Sequence, residues 1–478
     1  MDSTYQLLRV AAQTWPDHLA VIDGEEEVSY QQLFYQAELL KNELIDNGLA
    51  QGMGLAVMGR NSSAFIVAMF AGFACGATVL PLSHQLKQSE IEHILSDTQL
   101  HAVLDDQSGL KPVEGKIVTI DVFQHTLRLV WTGVSFKSPI TPLKDAAFIR
   151  YTSGTTGSSK GVVLTHKSIA KRVEIAQAAL NLTSDDAVLW VLSMAFHFLV
   201  TILVYIRSGA KIILCRDLLA QTIINDANKY KASFLYASPM HFRLLAADSS
   251  GKTMESLKVA ISTSSGIPIN IADAFKNRFN LPITQAYGII EAGLPLIDNL
   301  SENVETESVG HPVSGFLVSI FDDNKQQLVE GEIGHLAITG AGMFDAYLKP
   351  WQTAEEVMSD GWFMTGDLAK FEKNGRITIC GREKTMINVS GNKVFPEEVE
   401  VVLNSHEDIL EAHVFGHSHP LMGEIVCADV RIKENIELDV ENILKFCRHQ
   451  LSYYKIPQRL NQVAKLMHTQ SGKIKRID

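Results

Sequence analysis

The segment YTSGTTGSSKG, residues 151–161, concentrates the chemistry of this chain. It offers six hydroxyls (Thr152, Ser153, Thr155, Thr156, Ser158, Ser159), three glycines (Gly154, Gly157, Gly161) and one cation, Lys160, just after an apolar strand candidate, AAFIR. Glycines let backbone amides approach an anion closely, and amides, hydroxyls and one lysine together can wrap a triphosphate. The spacing is not that of a Walker loop, in which four residues separate a glycine from a Gly-Lys-Ser/Thr triplet, so a P-loop kinase is disfavoured. A generic Ser/Gly-rich stretch is a polar surface loop, but this order of residues is far less generic than that.

Other reactive side chains point less firmly to chemistry. His413, His417 and His419 lie close together, yet their segment reads as a strand followed by a turn at His419-Pro420, and no acidic or cysteine ligand completes a metal set. The five cysteines lie far apart with no Cys-x-x-Cys pair, which suits reduced thiols in a cytosol. A formal net charge of -12 argues against bulk attraction to nucleic acid or anionic lipid, so no nucleic-acid partner is expected.

The elements that must position these groups alternate along the chain. Leu33, Ala37, Leu40 and Leu44 fall at helical spacing between a start signal at Ser29 and a stop at Gly48. LAVMG then reads as a strand, FIVAMFAGFACG as an apolar helix, TVLPL as a strand, 89–97 as a helix and HAVLD as a strand. The same rhythm returns after Thr165, with a helix near 168–180, a strand at VLWVLS, a helix over 197–207 and a strand at KIILC. Strands alternating with helices imply α/β architecture with parallel sheets covered by helices. From about 309 the runs become short and bounded by Gly, Asp and Asn, as in a small antiparallel sheet or β-barrel, and roughly 385–478 return to α and β alternation. At 478 residues more than one packed unit is expected. The first residues carry no secretory signal pattern. The apolar run from Val188 to Ile206 holds His197 and Ser193 in its middle, so a buried strand and helix are expected there rather than a membrane span.

The loop at 151–161 resembles the signature loop of the adenylate-forming superfamily, which includes acyl-CoA synthetases, stand-alone adenylation enzymes and luciferases. Further motifs of that family follow in its order: QAYGIIEAG (285–293), GWFMTGDLAKFEKNGRITICGREKTMINVSGNKVFPEEVE (361–400) and SGKIKR (471–476). The resemblance covers essentially the whole chain. It implies a large N-terminal AMP-binding domain (1–383) of α/β sheets plus a small β-barrel, and a small mobile α+β C-terminal domain (384–478) with its hinge at Lys384. Carried over residue by residue, Thr152, Ser153, Gly154, Thr155, Thr156, Gly157 and Lys160 hold the phosphates of ATP. Tyr287, followed by Gly288, stacks on the adenine opposite the Gly266-Ile267-Pro268 backbone. Asp367 accepts hydrogen bonds from both ribose hydroxyls, an acceptor-only task that suits a carboxylate. Arg382 assists at ribose or phosphate, Glu291 holds Mg²⁺, and Lys473 is the catalytic lysine.

The chain also departs from the family pattern. Ile290 stands where a threonine hydroxyl usually touches the α-phosphate, a donor worth about 0.5–1.5 kcal/mol net. The usual proline of the phosphate loop is Ser159, and the proline often found before SGK is Gln470.

The implied reaction joins a carboxylic acid to a thiol through an acyl adenylate. Lys473, Mg²⁺ on Glu291 and the donors of 152–160 would meet the charge that builds on phosphate oxygens. Amino-acid-activating relatives have Phe-Asp where this chain has Phe196-His197, so an aryl or aliphatic acid is preferred over an α-amino acid. His197 either lines the passage between ATP and acid, as in acyl-CoA synthetases, or is a hydrogen-bonded buried imidazole. The apolar residues Phe196, Phe198, Tyr236, Met240, Ile289 and Ile290 are either pocket wall or core. Coenzyme A and the phosphopantetheine of an acyl carrier protein offer the same thiol, so a carrier-loading ligase is the rival reading. A second rival, a nucleotide-binding protein that has lost catalysis, is motivated by Ile290 and opposed by Lys473, Glu291, Asp367 and Arg382 together. The implied setting is the cytoplasm, with fatty acid metabolism among the possible contexts.

Overall fold

The computed structural model describes residues 3–109, 117–135, 140–151, 160–298, 300, 307–390, 392–419, 422–433 and 436–467. The helix Tyr30–Asp46 starts at Ser29, whose hydroxyl accepts from the Gln32 amide while the Gln32 side chain accepts from the Ser29 amide, a reciprocal cap. Its buried stripe is Leu33, Ala37, Leu40 and Leu44. Ser63–Ala74 is apolar on every side and correspondingly buried on every side.

Two large sheets form the body of the protein, each nine-stranded. In the first, Leu19–Asp23, Lys211–Leu214, Ala187–Trp190, Phe234–Ala237, Val259–Ser262 and Ile283–Tyr287 run parallel in that spatial order. In the second, Ala102–Asp105, Gly54–Gly59, Thr78–Ser83 and Ala146–Tyr151 are parallel neighbours. Gly161–Thr165 then pairs antiparallel with Ala146–Tyr151, and Ala346–Tyr347 pairs antiparallel with Gly161–Thr165. The far edge is an antiparallel hairpin, Ile117–Val122 with His125–Trp131, so this sheet is mixed rather than purely parallel.

The small antiparallel unit is a correction to the expected barrel. Phe316–Phe321, Gly334–Gly340, Phe363–Phe371 and Ile377–Arg382 form an open four-stranded sheet among the described residues. Its edge at Ile377 is occupied instead: Val309 donates to the Ile377 carbonyl and Ile377 donates to the Gly310 carbonyl, both at 2.9 Å. With that edge taken by the chain coming from the large sheet, the last strand is not free there to join the first and close a barrel.

The expected helix over 197–207 is also interrupted. Met194–His197 and a 3₁₀ turn, Phe198–Val200, precede Ile202–Ser208. The Thr201 hydroxyl donates to the His197 carbonyl at 2.5 Å, and Thr201 leaves helical backbone. No helix among the described residues is long and apolar enough to cross a membrane.

The last sheet contains Ile387–Val389, Asn392–Val394, Ile409–His419, Gly423–Ile432 and Arg459–Gln462. It has its own apolar core, including Val399, Leu403, Val414, Val426, Val430, Ile443 and Cys447. Arg243 reaches across to the Leu410 carbonyl at 2.9 Å.

Candidate active site

The site is built where strand ends of both large sheets meet the small sheet. Tyr151 and Gly161 face each other in antiparallel register, so the strand pair brings the two ends of the candidate phosphate loop together. Thr152, Ser153, Gly154, Thr155, Thr156 and Gly157 lie outside the described residues, as does Lys473. Lys160 is described: its ammonium sits over the Tyr347 ring, 4.5 Å from the centroid. The Tyr347 hydroxyl in turn donates to Oε1 of Glu291 at 2.9 Å. Burial and the Glu291 charge push the Tyr347 phenol well above its usual range, so it remains a donor.

Glu291 is held through its main chain. The Phe344 amide donates to the Glu291 carbonyl at 2.7 Å. From the helix His166–Leu180, Arg172 donates to the carbonyls of Ile290 (2.9 Å), Glu291 (3.4 Å) and Gly342 (2.8 and 3.0 Å). Arg172 is buried, and burial pushes its guanidinium down to about 10 against the pull of Asp345 and Glu291, so it stays charged at neutral pH. Gly288 opens this loop where a Cβ would lie 2.4 Å from the Gly293 carbonyl oxygen, a position only glycine can fill.

A second group forms at the other end of the same loop. The Tyr287 hydroxyl donates to Oδ2 of Asp367 at 2.5 Å, and Arg382 Nε lies 2.7 Å from Oδ1. Asp367 is 3% exposed, while the Arg382 side chain remains 45% exposed. A carboxylate has about four lone-pair sites, so both oxygens can accept further donors. Burial, then the Asp367 charge, push the Tyr287 phenol far above its usual range. Ile267, between Gly266 and Pro268, donates its amide to Oε1 of Gln285 at 2.9 Å, which ties that turn to the strand carrying Tyr287.

Sequence-expected residues thus divide into groups. Tyr287, Asp367 and Arg382 come together, and Lys160 joins Glu291 through Tyr347. His197 ends a short helix with its ring 6.3 Å from that of Trp190. Phe198 is core, its ring tilted against those of Phe65 and Phe70, whereas Met240 is 41% exposed. Lys384 lies exposed in the turn Glu383–Thr385.

Three residues escaped sequence reasoning. Tyr347 carried no signal beyond being aromatic. Arg172 interrupts the buried stripe Ile169, Val173, Ala176, and a charge on such a stripe is a mark of a polar task. Arg150 is the one cation in the apolar strand Ala146–Tyr151; its guanidinium lies over Phe196, 5.6 Å from the ring centroid. Burial pushes Arg150 down to about 10, opposed by the Glu291 charge. A separate trio, Asp23, Glu26 and His125, brings ligand-type atoms within 4.8 Å of one another away from this loop.

The AMP-binding enzyme family model matches residues 8–348, and the model for the AMP-binding enzyme C-terminal domain matches residues 398–473. The 2-succinylbenzoate--CoA ligase of Bacillus licheniformis is 26% identical, covering 98% of this chain and 98% of that protein. The oxalate--CoA ligase of Arabidopsis thaliana is 28% identical over 99% of this chain and 97% of its own length. The crystal structure of ATP-bound MatB from Rhodopseudomonas palustris matches with a TM-score of 0.86 at 22% identity, covering 99% of this chain and 97% of that one. O-succinylbenzoate CoA synthetase (MenE) from Bacillus subtilis, in complex with the acyl-adenylate intermediate OSB-AMP, matches with a TM-score of 0.86 at 23% identity, covering 98% and 96%. These two structures share the fold of this chain.

Proposed function

We propose, from the premise that this chain belongs to the AMP-binding enzyme family, that it is an ATP-dependent ligase joining a carboxylic acid to coenzyme A through an acyl adenylate. One observation carries the reading: a single loop presents Tyr287 to Asp367 and Arg382 at one end and Glu291 to Tyr347 and Lys160 at the other. A nucleoside with a polyphosphate tail needs those two groups in that order. The names of the relatives, CoA ligases, support coenzyme A as the acceptor rather than a carrier protein.

In the first half-reaction a carboxylate oxygen attacks the α-phosphorus; the new O–P bond forms and the bond to pyrophosphate breaks, its electron pair leaving on the diphosphate. Asp367 and Arg382 orient the ribose, Tyr287 and the Gly266-Ile267-Pro268 turn flank the adenine, and residues 152–157 with Lys160 hold the phosphates. Lys473 meets the charge developing on the phosphate oxygens. Glu291 fits a Mg²⁺ holder: Mg²⁺ takes one or two carboxylates plus phosphate oxygens and waters, and the half-buried Glu291 carboxylate keeps lone pairs beyond the one engaged by Tyr347. Bound there, the ion would neutralise phosphate charge.

In the second half-reaction the thiol sulfur attacks the acyl carbonyl, the C–O bond to AMP breaks, and the thiol proton passes to solvent. A division at 1–383 and 384–478 with a hinge at Lys384 would let Lys473 withdraw between the two steps. His197, beside the acid side of the site, takes the place of the carboxylate an amino-acid substrate would need, so the acid is aryl or aliphatic. The test is acid-dependent pyrophosphate release across aryl and short- to long-chain acids, followed by mass detection of the thioester. Acyl-CoA formation is expected, and failure of every acid to yield an AMP ester would overturn the reading.

A further inference from the structure

Arg150 is a half-buried cation. It lies one residue before the candidate phosphate loop, with its guanidinium against Phe196 and within electrostatic reach of Glu291. Its Nε is buried and has no hydrogen-bond partner among the described residues. Among the described residues no carboxylate comes within 4.0 Å of it as an ion-pair partner. Arg172, the buried arginine of the site, donates to three main-chain carbonyls, whereas the half-buried Arg150 is not occupied in this way. On a half-buried guanidinium, a buried donor left idle is costly unless an anion completes it.

The anion can be placed from the neighbours. Phosphate charge belongs on the Glu291 side, and the acid belongs on the Phe196 side. The group that must stand between the two is the reacting carboxylate itself. That carboxylate is an anion attacking an anionic phosphate, so it needs a fixed cation to hold it at the α-phosphorus. An arginine fork is suited to bind it through two parallel hydrogen bonds.

We infer that Arg150 binds and orients the reacting carboxylate of the acid substrate, and so acts as a substrate-positioning residue for adenylation. The inference rests on the ligase reading above. If the wild-type chain adenylates no acid, that reading falls and this one has no object; if the wild type is active, Arg150 is tested on its own.

The experiment compares wild type, Arg150→Gln and Arg150→Lys, each as the full chain, by pyrophosphate release with acid and ATP varied separately. Arg150→Gln should raise the KM for a simple monocarboxylic acid by about tenfold or more, with the KM for ATP close to wild type. Arg150→Lys keeps the charge without the fork and should give a smaller rise. Thermal melting accompanies both; if Arg150→Gln does not fold, the acid KM of Arg150→Lys carries the test. An unchanged acid KM would overturn the inference. So would a rise confined to the ATP KM, which would assign Arg150 to phosphate, or a rise confined to acids bearing a second anionic group, which would assign it to the distal end of the substrate.

Discussion

Replacing Tyr347 with phenylalanine removes one hydroxyl and leaves almost everything else in place. The ring stays packed against Phe344 at 4.8 Å and keeps its face toward Lys160. What disappears is the 2.9 Å hydrogen bond to Oε1 of Glu291. Hydrogen bonds to charged groups contribute about 1.5–3 kcal/mol, and the partial solvent access of Glu291 places this one near the lower end, about 1.5 kcal/mol. If that bond fixes the carboxylate that holds Mg²⁺, the loss appears as roughly a tenfold fall in kcat/KM for ATP with magnesium. The acid KM should not move. Because burial and Glu291 hold the phenol well above its usual range, Tyr347 donates across the assay range, and the ratio of wild type to variant should be flat over about pH 6–9. Stability in urea should fall by about 1 kcal/mol or less, since water can reach the released carboxylate. Tyr347→Leu should lose more, because Lys160 then loses its aromatic seat as well. The reasoning is refuted if Tyr347→Phe matches wild type at all magnesium concentrations, or if its loss falls on the acid KM instead.

Three further substitutions probe other parts of the structure. Lys473→Ala should slow adenylation by about 100–1,000-fold while ATP affinity by calorimetry stays within a few-fold, the split expected of a group that acts on transition-state charge. Gly288→Ala must move the Gly293 carbonyl, which lies 2.4 Å from the added Cβ, and should cost about 1–3 kcal/mol in denaturant unfolding together with most of the activity. His125→Gln tests the trio remote from the loop. The hydrogen bond to Asp23 is the first cause that raises His125, and the charges of Asp23, Glu26 and Asp106 add to it, so its share of stability is complete below the ordinary value of 6.5 and is lost as pH rises through the raised folded value. Burial pushes Asp23 up, but hydrogen bonds from His125 and Ser63 outweigh it and hold the carboxyl below 3.8, so its share is lost only as pH falls through that lowered value. Wild type should therefore lose about 0.2–1 kcal/mol between mildly acidic and mildly alkaline pH, discounted for the partial exposure of His125, and His125→Gln should flatten that slope in pH-dependent melting.

Much of the fold is written in local periodicity. The stripe Leu33, Ala37, Leu40, Leu44 and the cap at Ser29 specify their helix without outside help, and the all-apolar run at 63–74 can only be a buried one. The interruption at Thr201 was not legible, because it depends on one hydroxyl choosing the His197 carbonyl. Nor could short Gly-bounded runs distinguish an open sheet from a closed one, since closure depends on whether the first and last strands meet, and here Val309 and Gly310 take the edge first. Within the site, Tyr287, Asp367, Arg382 and Glu291 were reached through motif order alone. Their distances come from strand order in three sheets, which no local pattern encodes. Tyr347, Arg172 and Arg150 were missed because each acts as a single side chain on an otherwise ordinary element.

Those three residues sit on elements joined to one another through a single strand. Gly161–Thr165 directly follows Lys160, and it is bonded on one side to Ala146–Tyr151, which carries Arg150, and on the other to Ala346–Tyr347, which carries the Glu291 partner. The helix His166–Leu180 follows immediately and supplies Arg172 to the carbonyls of Ile290 and Glu291. Asp345 closes the circuit, accepting from the Thr165 amide at 2.7 Å and from the Ser168 hydroxyl at 3.0 Å. One antiparallel strand therefore sets the mutual positions of Lys160, Arg150 and Glu291. If phosphate, carboxylate and metal must be held in register for in-line attack, fixing all three holders to a single strand is the arrangement least disturbed by motion elsewhere. It follows that loosening this strand, for instance through Asp345→Ala, should weaken the acid and ATP sites together rather than either one alone.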